Sequence, residues 1–245
     1  MLRLLPTSIF LTSLTLLLAA CSQSQAGEEA LEKPRVGLFT SLPIYWGEGG
    51  LSAILDGSDR KDWVRALIET RFEIEPLDTL EAESVDNVER MIMAQPRPLA
   101  PSENVALDDW LRDGGRLLIF ADPLLTRHSE FALGDKRRPQ AVVLISPILA
   151  RWGLELRFDE DQPGGERQVS AFDGDYPVNL AGHFVPLKGS GCLVSDTGLI
   201  ARCEIGKGRV TLMADAAILD GDASGGDPSQ RRSSLDSLLG TALDY

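Results

Sequence analysis

Apolar positions along the chain fall into short dense runs separated by stretches of helical spacing. Arg35–Thr40, Met91–Ala94 and Leu117–Ala121 are nearly continuous apolar runs, and Phe72–Leu77 reads as a further strand. Unbroken runs of this kind suit strands covered on both faces by helices. The clearest unit is 101–123, PSENVALDDWLRDGGRLLIFADP. Ser102 is placed to cap a helix, and Glu103 falls in its first turn, where the positive helix end favours an acid. Ala106, Leu107, Trp110 and Leu111 form one apolar stripe, with Asp108, Asp109 and Arg112 on the water side. Gly114 and Gly115 stop the helix, since glycine takes the left-handed conformation without a Cβ clash. A second helix is predicted from an Asp59 cap, with Trp63, Ala66 and Leu67 on one face. A third starts at Ser146–Pro147, buries Ile148, Leu149 and Trp152, and stops at Gly153 before a strand over 154–158. Leu51–Leu55 reads as a short helical turn.

From Gln162 onward the pattern turns β-rich, with strands expected over 168–172, 180–187 and 209–214 and a closing helix over 234–243. GRVTLMADAA echoes GRLLIFADP, so two strands end in Ala-Asp, at Asp122 and Asp215. Ligand crevices in open α/β sheets lie beyond the carboxyl ends of the strands. The fold class expected is α/β, a flavodoxin-like layered sheet with a β-rich C-terminal part: residues 35–245 as one domain, with 162–208 as a β-rich insertion.

The first twenty residues stand outside that pattern. Arg3, the apolar run 9–18 and Leu18-Ala19-Ala20-Cys21 make a secretory leader whose core is too short to span a bilayer. Leu-Ala-Ala-Cys resembles the lipobox of bacterial lipoproteins, which implies acylation of Cys21, a tether over 21–34, and an address in the cell envelope facing the periplasm. By that family's rule Ser22 implies outer-membrane sorting. The alternative is an ordinary leader cut at Ala19-Ala20. The net charge of −13 excludes nucleic acid as a partner, because that binding rests on clustered Lys and Arg. With Cys21 acylated, Cys192 and Cys203 remain. A hairpin turning at Thr197-Gly198 sets them directly opposite, within reach of a disulfide, the alternative being two free thiols.

Candidate site residues cluster after the strands. Tyr45 and Trp46 follow the first, where aromatics can stack on a sugar or peptide or pack as a lid, and Glu48 can hydrogen-bond a ligand or sit in solvent. Gln95 and Arg97 follow the third. Arg97 is suited to clamping a carboxylate or to pairing with Asp122. Asp122 and Asp215 can bind a ligand or cap their own turns. His128 lies in the chain's basic cluster, with Arg127, Lys136, Arg137 and Arg138. No HExxH, CxxC, P-loop or G-x-S-x-G pattern is present, and no catalytic residue, metal ligand or cofactor is assigned.

The strand RVGLFTSLP, the block MAQPRPLAPSENVALDDWLRDGGRLLIFADP and the late GKGRVTLMADAAIL together resemble the GldG-like, ABC-type transport auxiliary family. The resemblance implies a fold like that of class I glutamine amidotransferases without the catalytic cysteine, and partners among ABC transporter subunits. Membrane-embedded members carry transmembrane helices, whereas this sequence has none beyond its leader. The expected function is a non-enzymatic envelope lipoprotein that binds a ligand or partner for an ABC-type transport system, with Trp46, Gln95, Asp122 and Asp215 forming the crevice rim. The alternatives are a metal-assisted hydrolase using the strand-end carboxylates, or a structural envelope protein.

Overall fold

The computed structural model describes residues 33–49, 55, 61–172, 174–221 and 227–244. Cys21, Asp59 and all but the last residue of the turn expected over Leu51–Leu55 lie outside the described residues. Four strands and three helices alternate first: β1 (Arg35–Thr40), α1 (Trp63–Arg71), β2 (Glu73–Pro76), α2 (Ala82–Val85), β3 (Arg90–Ala94), α3 (Pro101–Asp113) and β4 (Arg116–Phe120). After α4 (Ser146–Arg151) come β5 (Leu154–Arg157), β6 (Arg167–Ala171), β7 (Gly174–Val178), β8 (His183–Pro186), β9 (Leu193–Val194), β10 (Ile200–Ile205) and β11 (Gly208–Met213). A 3₁₀ turn over Ala217–Leu219 and α5 (Pro228–Leu239), continued by a π-helical turn to Asp244, close the chain.

The central sheet has the order β2-β1-β3-β4-β11-β10-β9. β2 to β11 run parallel, while β10 is antiparallel to both of its neighbours. The molecule is thus a mixed α/β fold on a mainly parallel sheet. The order of strand addition reverses between β1 and β3, with β2 laid on one side of β1 and β3 on the other, which makes their carboxyl ends the switch point. Alternate residues of each strand feed two separate cores. Leu118 and Phe120 join Val36, Leu38 and Ile92 under α1 and α5, while Leu117 and Ile119 join Met91, Met93 and Phe39 under α3 and α4. That double burial explains why the strands read as unbroken apolar runs.

The helix starts differ from expectation. The α1 cap is Asp62, whose Oδ1 accepts from Val64 N at 2.8 Å, and the helix buries Val64 and Ile68, leaving Ala66 exposed. Ser102 lies inside α3. The orphan amide at its start, Ala100 N, donates instead to Glu103 Oε2 at 2.8 Å. Ser146 is the first residue of α4 and makes no cap bond. α5 begins six residues before the expected start, capped by Asp227. The run 180–187 contains only β8, which pairs with β5, while β7, whose glycine and proline mask its pattern, pairs with β6.

Asp108 is the largest departure. Read as a water-facing residue, it is 1% exposed. Its Oδ2 accepts from Arg112 Nε (2.8 Å) and Arg151 Nε (2.5 Å), and its Oδ1 from Trp152 Nε1 (3.0 Å). One carboxylate thereby ties α3 to α4. Burial opposes its charge, and the bonds from Arg112, Arg151 and Trp152 outweigh that, holding its pKa below the ordinary value. In the C-terminal part, Cys192 and Cys203 are joined at a Cα separation of 4.2 Å. Leu193 faces Arg202 across the hairpin. The pairing is centred on Thr197-Gly198 as expected, but the connection is wider than two residues: Gly198 N donates to Ser195 O (2.8 Å), and Gly198 takes φ +73°.

Candidate functional site

The sequence echo is an in-register pair in space. β11 lies beside β4 with Arg209 opposite Arg116 and Met213 opposite Phe120. Asp215 and Asp122 therefore emerge side by side at the carboxyl edge, each two residues past its strand. Both are buried rather than displayed on a rim. Asp122 accepts Leu124 N at Oδ1 (2.8 Å) and Ala216 N at Oδ2 (3.3 Å), stitching the two strand ends together. Asp215 accepts Ala217 N (2.5 Å) and Asn179 N (3.0 Å). Asp220, also buried, accepts no hydrogen bond on its carboxylate among the described residues.

Burial dominates the electrostatics of this trio. It pushes the Asp122 carboxyl up to about 7, with Asp220 adding to the rise. Asp220 rises to about 6, against the pull of Arg127 and Arg231. Asp215 is held well above the ordinary range by burial and then by the charge of Asp122. Two like charges so close under low-dielectric cover do not both ionise readily.

Gln95 is fully buried at the switch point and takes φ +46°. Its amide substitutes for a peptide group. Nε2 donates to Asp122 O (3.0 Å) and Gln140 O (2.8 Å), and Oε1 accepts Asp122 N (2.9 Å). A left-handed non-glycine residue costs on the order of 1 kcal/mol, and three side-chain bonds of about that size each offset it. Thr40 Oγ1 donates to Ala94 O (2.8 Å), and Ser41 Oγ donates to Gln95 O (2.5 Å) while accepting Gln140 N (3.0 Å). The floor of the switch point is thus a closed hydrogen-bonded layer. Gln95, Asp122 and Asp215 belong to that floor.

Arg97 does not pair with Asp122. Its NH1 and NH2 clamp the buried Glu103 at 2.8 and 2.7 Å, and its guanidinium lies 4.9 Å from the Phe39 ring centroid. The Arg97 bonds, with those from Ala100 N and Leu80 N, lower the Glu103 pKa to about 2 despite burial. This is a structural brace beside the edge.

Above the floor, the loops leave open space. One cavity of about 280 Å³ is bounded by Ser41, Tyr45, Trp46, Glu48, Phe131 and Arg137. A second, of about 260 Å³, shares Tyr45 and Glu48 and adds Lys61, Arg65, Arg127 and His128. The two therefore meet at the Tyr45–Glu48 wall. Tyr45 and Trp46 are edge-on at 4.8 Å, and the Arg65 guanidinium carbon lies over the Tyr45 ring, 4.1 Å from its centroid, while its NH1 donates to Tyr45 O (3.0 Å). Glu48 Oε2 accepts Glu130 N at 2.7 Å, which ties this loop to segment 124–142, and Glu48 Oε1 is buried without a hydrogen-bond partner among the described residues. His128 is exposed, 3.7 Å from Glu130. A larger cavity, about 460 Å³ around Trp110 and Gly115, opens at the opposite, N-terminal edge of the sheet.

Of the candidate residues, the structure gathers Tyr45, Trp46, Glu48 and His128 around open space. It puts Gln95, Asp122 and Asp215 beneath that space, and Arg97 beside it. Lys61, Arg65 and Phe131 are additions. Phe131 lies within the basic cluster, whereas Lys61 and Arg65 carry no signal beyond lying at the start of α1. Among the described residues no group of three or more His, Cys, Asp or Glu is arranged to hold a metal ion, and no helix is long and apolar enough to cross a membrane.

Comparison with solved structures finds the same kind of layered fold. An exo-β-1,4-mannosidase from Opitutaceae bacterium strain TAV5 superposes with a TM-score of 0.51 at 16% identity, over 87% of this chain and 36% of that one. A β-galactosidase from Bacillus circulans gives 0.46 at 12% identity, over 85% of this chain and 31% of that one. A ThuA-like protein from Bacteroides uniformis gives 0.46 at 10% identity, over 84% and 89% of the two chains. At these identities the likeness concerns the fold alone, and the chain spans only about a third of the length of the glycosidases. No curated protein matches the chain. The model of a family described as an ABC-type uncharacterized transport system matches residues 33–162, from the start of β1 to beyond β5. That is more than half of the 245 residues, and the chain belongs to this ABC-type transport auxiliary family.

Proposed function

We propose that this protein is a lipid-anchored, periplasm-facing auxiliary subunit of an ABC-type transport system, on a flavodoxin-like sheet, and that it binds rather than catalyses. The loops over the carboxyl edge of β1 and β3 form its binding face. The observation that carries the reading is the state of the strand-end groups. Gln95, Asp122 and Asp215 all spend their polar atoms on backbone partners, which leaves the switch point with a binding cavity above a structural floor. Membership of the transport family supplies the system, and the Leu-Ala-Ala-Cys leader supplies the anchor.

The test is purification of the tagged full-length chain from its own host's membranes in mild detergent, with quantification of co-purifying ATPase and permease subunits. A Cys21→Ala variant is run in parallel. The reading requires both subunits in stoichiometric amounts with the wild-type chain, and loss of membrane association with the variant. Wild-type chain recovered free of any transporter component refutes it.

A further inference from the structure

We infer that Asp220 is a proton-operated switch on the binding face: its ionisation draws the guanidinium of Arg127 away from Asp62 and out of the cavity wall that Arg127 shares with Tyr45 and Glu48. This rests on the reading above that the carboxyl edge binds a ligand, and it names how that site is regulated.

The geometry is one cation facing two buried acids. Arg127 and Asp62 both border the cavity of about 260 Å³, whereas Asp220 lies outside its lining. The side chains of Arg127 and Asp62 are only 15% and 16% exposed, and Arg127 NH2 stands 3.7 Å from Asp62 Oδ2, longer than a charge-assisted hydrogen bond. Arg127 NH1 donates to Leu219 O at 3.0 Å, which holds the guanidinium beside Asp220. Asp220 is buried, and among the described residues its carboxylate has no ion pair within 4.0 Å. A buried carboxyl without a cation in contact keeps its proton. Burial raises this one to about 6, against the pull of Arg127 and Arg231. The arrangement in the structure is the one that suits a protonated Asp220. Once the proton leaves, the charge left in a low-dielectric setting attracts the cation that is loosely held.

The other charged groups nearby are already committed. Arg231 of α5 donates to the backbone oxygens of Asp220 and Gly221, at 3.3 Å each, and its NH2 pairs with Glu166, so those two charges cancel. From α1, Trp63 Nε1 donates to Asp220 O at 2.9 Å. These bonds hold the Asp220 backbone, and its carboxyl group is the part left to answer to pH. Asp122 is pushed up to about 7, so Asp220 loses its proton first. Across the cavity, Lys61 and Arg65 pair with Glu69, and His128 faces Glu130. Asp62 is itself raised by burial, with Val64 N and the Arg127 charge pulling it back. Asp62 and Asp220 therefore compete for one arginine. In mild acid Asp220 is neutral and Arg127 stays with Asp62 in the cavity wall. As pH climbs through the folded pKa of Asp220, Arg127 moves toward it and the cavity becomes less positive. The binding face then holds an anionic ligand more tightly in acid than in base.

The experiment is an NMR titration of the full-length chain in detergent micelles from pH 5 to pH 8.5. It follows the Nε–Hε signal of Arg127 and the fluorine of 5-fluorotryptophan at Trp63. Both are expected to shift together with one midpoint near 6, while the fluorines at Trp110 and Trp152 stay fixed. Asp220→Asn should remove that midpoint from both signals and leave Arg127 where it stands at pH 5. Arg127→Gln takes away the attracting charge and should raise the Trp63 midpoint by about one pH unit. Asp62→Asn keeps a capping side chain, frees Arg127 for Asp220, and should lower the midpoint. A Trp63 titration that persists unchanged in Asp220→Asn overturns the inference. So does an Arg127 signal that stays fixed while Trp63 moves, or a titration abolished by Asp62→Asn. Equal shifts of all the tryptophan fluorines would mark a general loosening of the fold and overturn it as well. No transporter and no ligand enters this measurement, and co-purification with a transporter needs no titration, so each reading can fail without the other.

Discussion

The buried carboxyls beneath the crevice make stability fall as pH rises, which is the reverse of ordinary surface acids. Asp122 titrates near 7 and Asp220 near 6 in the folded chain, against an ordinary value of 3.8. A carboxyl whose folded pKa is raised binds its proton more tightly folded than unfolded. Its contribution is fully present below the unfolded pKa and is lost as pH climbs through the folded one. At 1.36 kcal/mol per unit, full ionisation costs on the order of 4 kcal/mol for Asp122 and 3 for Asp220. Between pH 5 and pH 8 the linkage integral gives losses of about 2.5 and 1.5 kcal/mol respectively. The pair at Asp122 and Asp215 shares protons, so these figures bound the joint behaviour and do not simply add. Asp220→Asn is the cleanest perturbation. Among the described residues its carboxylate accepts no hydrogen bond that the amide would forfeit, and the groups acting on it, Arg127, Arg231 and Glu166, stay in place. The assay is urea denaturation of wild type and variant at pH 5, 6, 7 and 8. The variant is expected to be the more stable, with an advantage that grows by about 1.5 kcal/mol across that range. An advantage that stays constant or shrinks from pH 5 to pH 8 refutes the reasoning, whatever the wild-type curve does.

Two further outcomes follow from bonds already described. The disulfide between Cys192 and Cys203 closes a loop with a sequence separation of 11, which in the chain-entropy model stabilises by about 3 kcal/mol. Cys192→Ser with Cys203→Ser should melt roughly 5–10 °C lower by calorimetry, and an unchanged Tm would show that the pinned β9–β10 hairpin contributes nothing to global stability. Asp108→Ala strands the indole N–H of Trp152 and two arginines, at a cost of about 3 kcal/mol in urea midpoints. Asp108→Asn keeps one acceptor and should cost about half of that, so equal losses would argue against the hydrogen-bond account.

Much of the fold could be read from residue patterns, because the strands that matter are buried on both faces. Leu117–Ala121 has no polar position to confuse its period, and the echo at Val210–Ala214 departs from it in polarity only at Thr211, opposite Leu118. The register of β4 against β11 is the spatial form of that echo. What escaped were features created by distant parts of the chain. Asp108 has the spacing of a solvated helix residue, and only the packing of α4, more than forty residues later, buries it. Gln95 precedes Pro96, a position that favours extended backbone, yet it turns left-handed because Asp122 and Gln140 together hold its amide.

The strand-end acids show the same limit from the functional side. Ala-Asp at the end of an apolar strand reads as a residue presented to solvent at the sheet edge. That holds for an edge left open, but the chain closes this one: segment 124–142 crosses it, and Asn179 donates its backbone N–H to Asp215. Once covered, the two carboxyls exchange water for backbone amides and their pKa values rise, so a motif that reads as an exposed pair of acids is in fact the joint that holds two strand ends together.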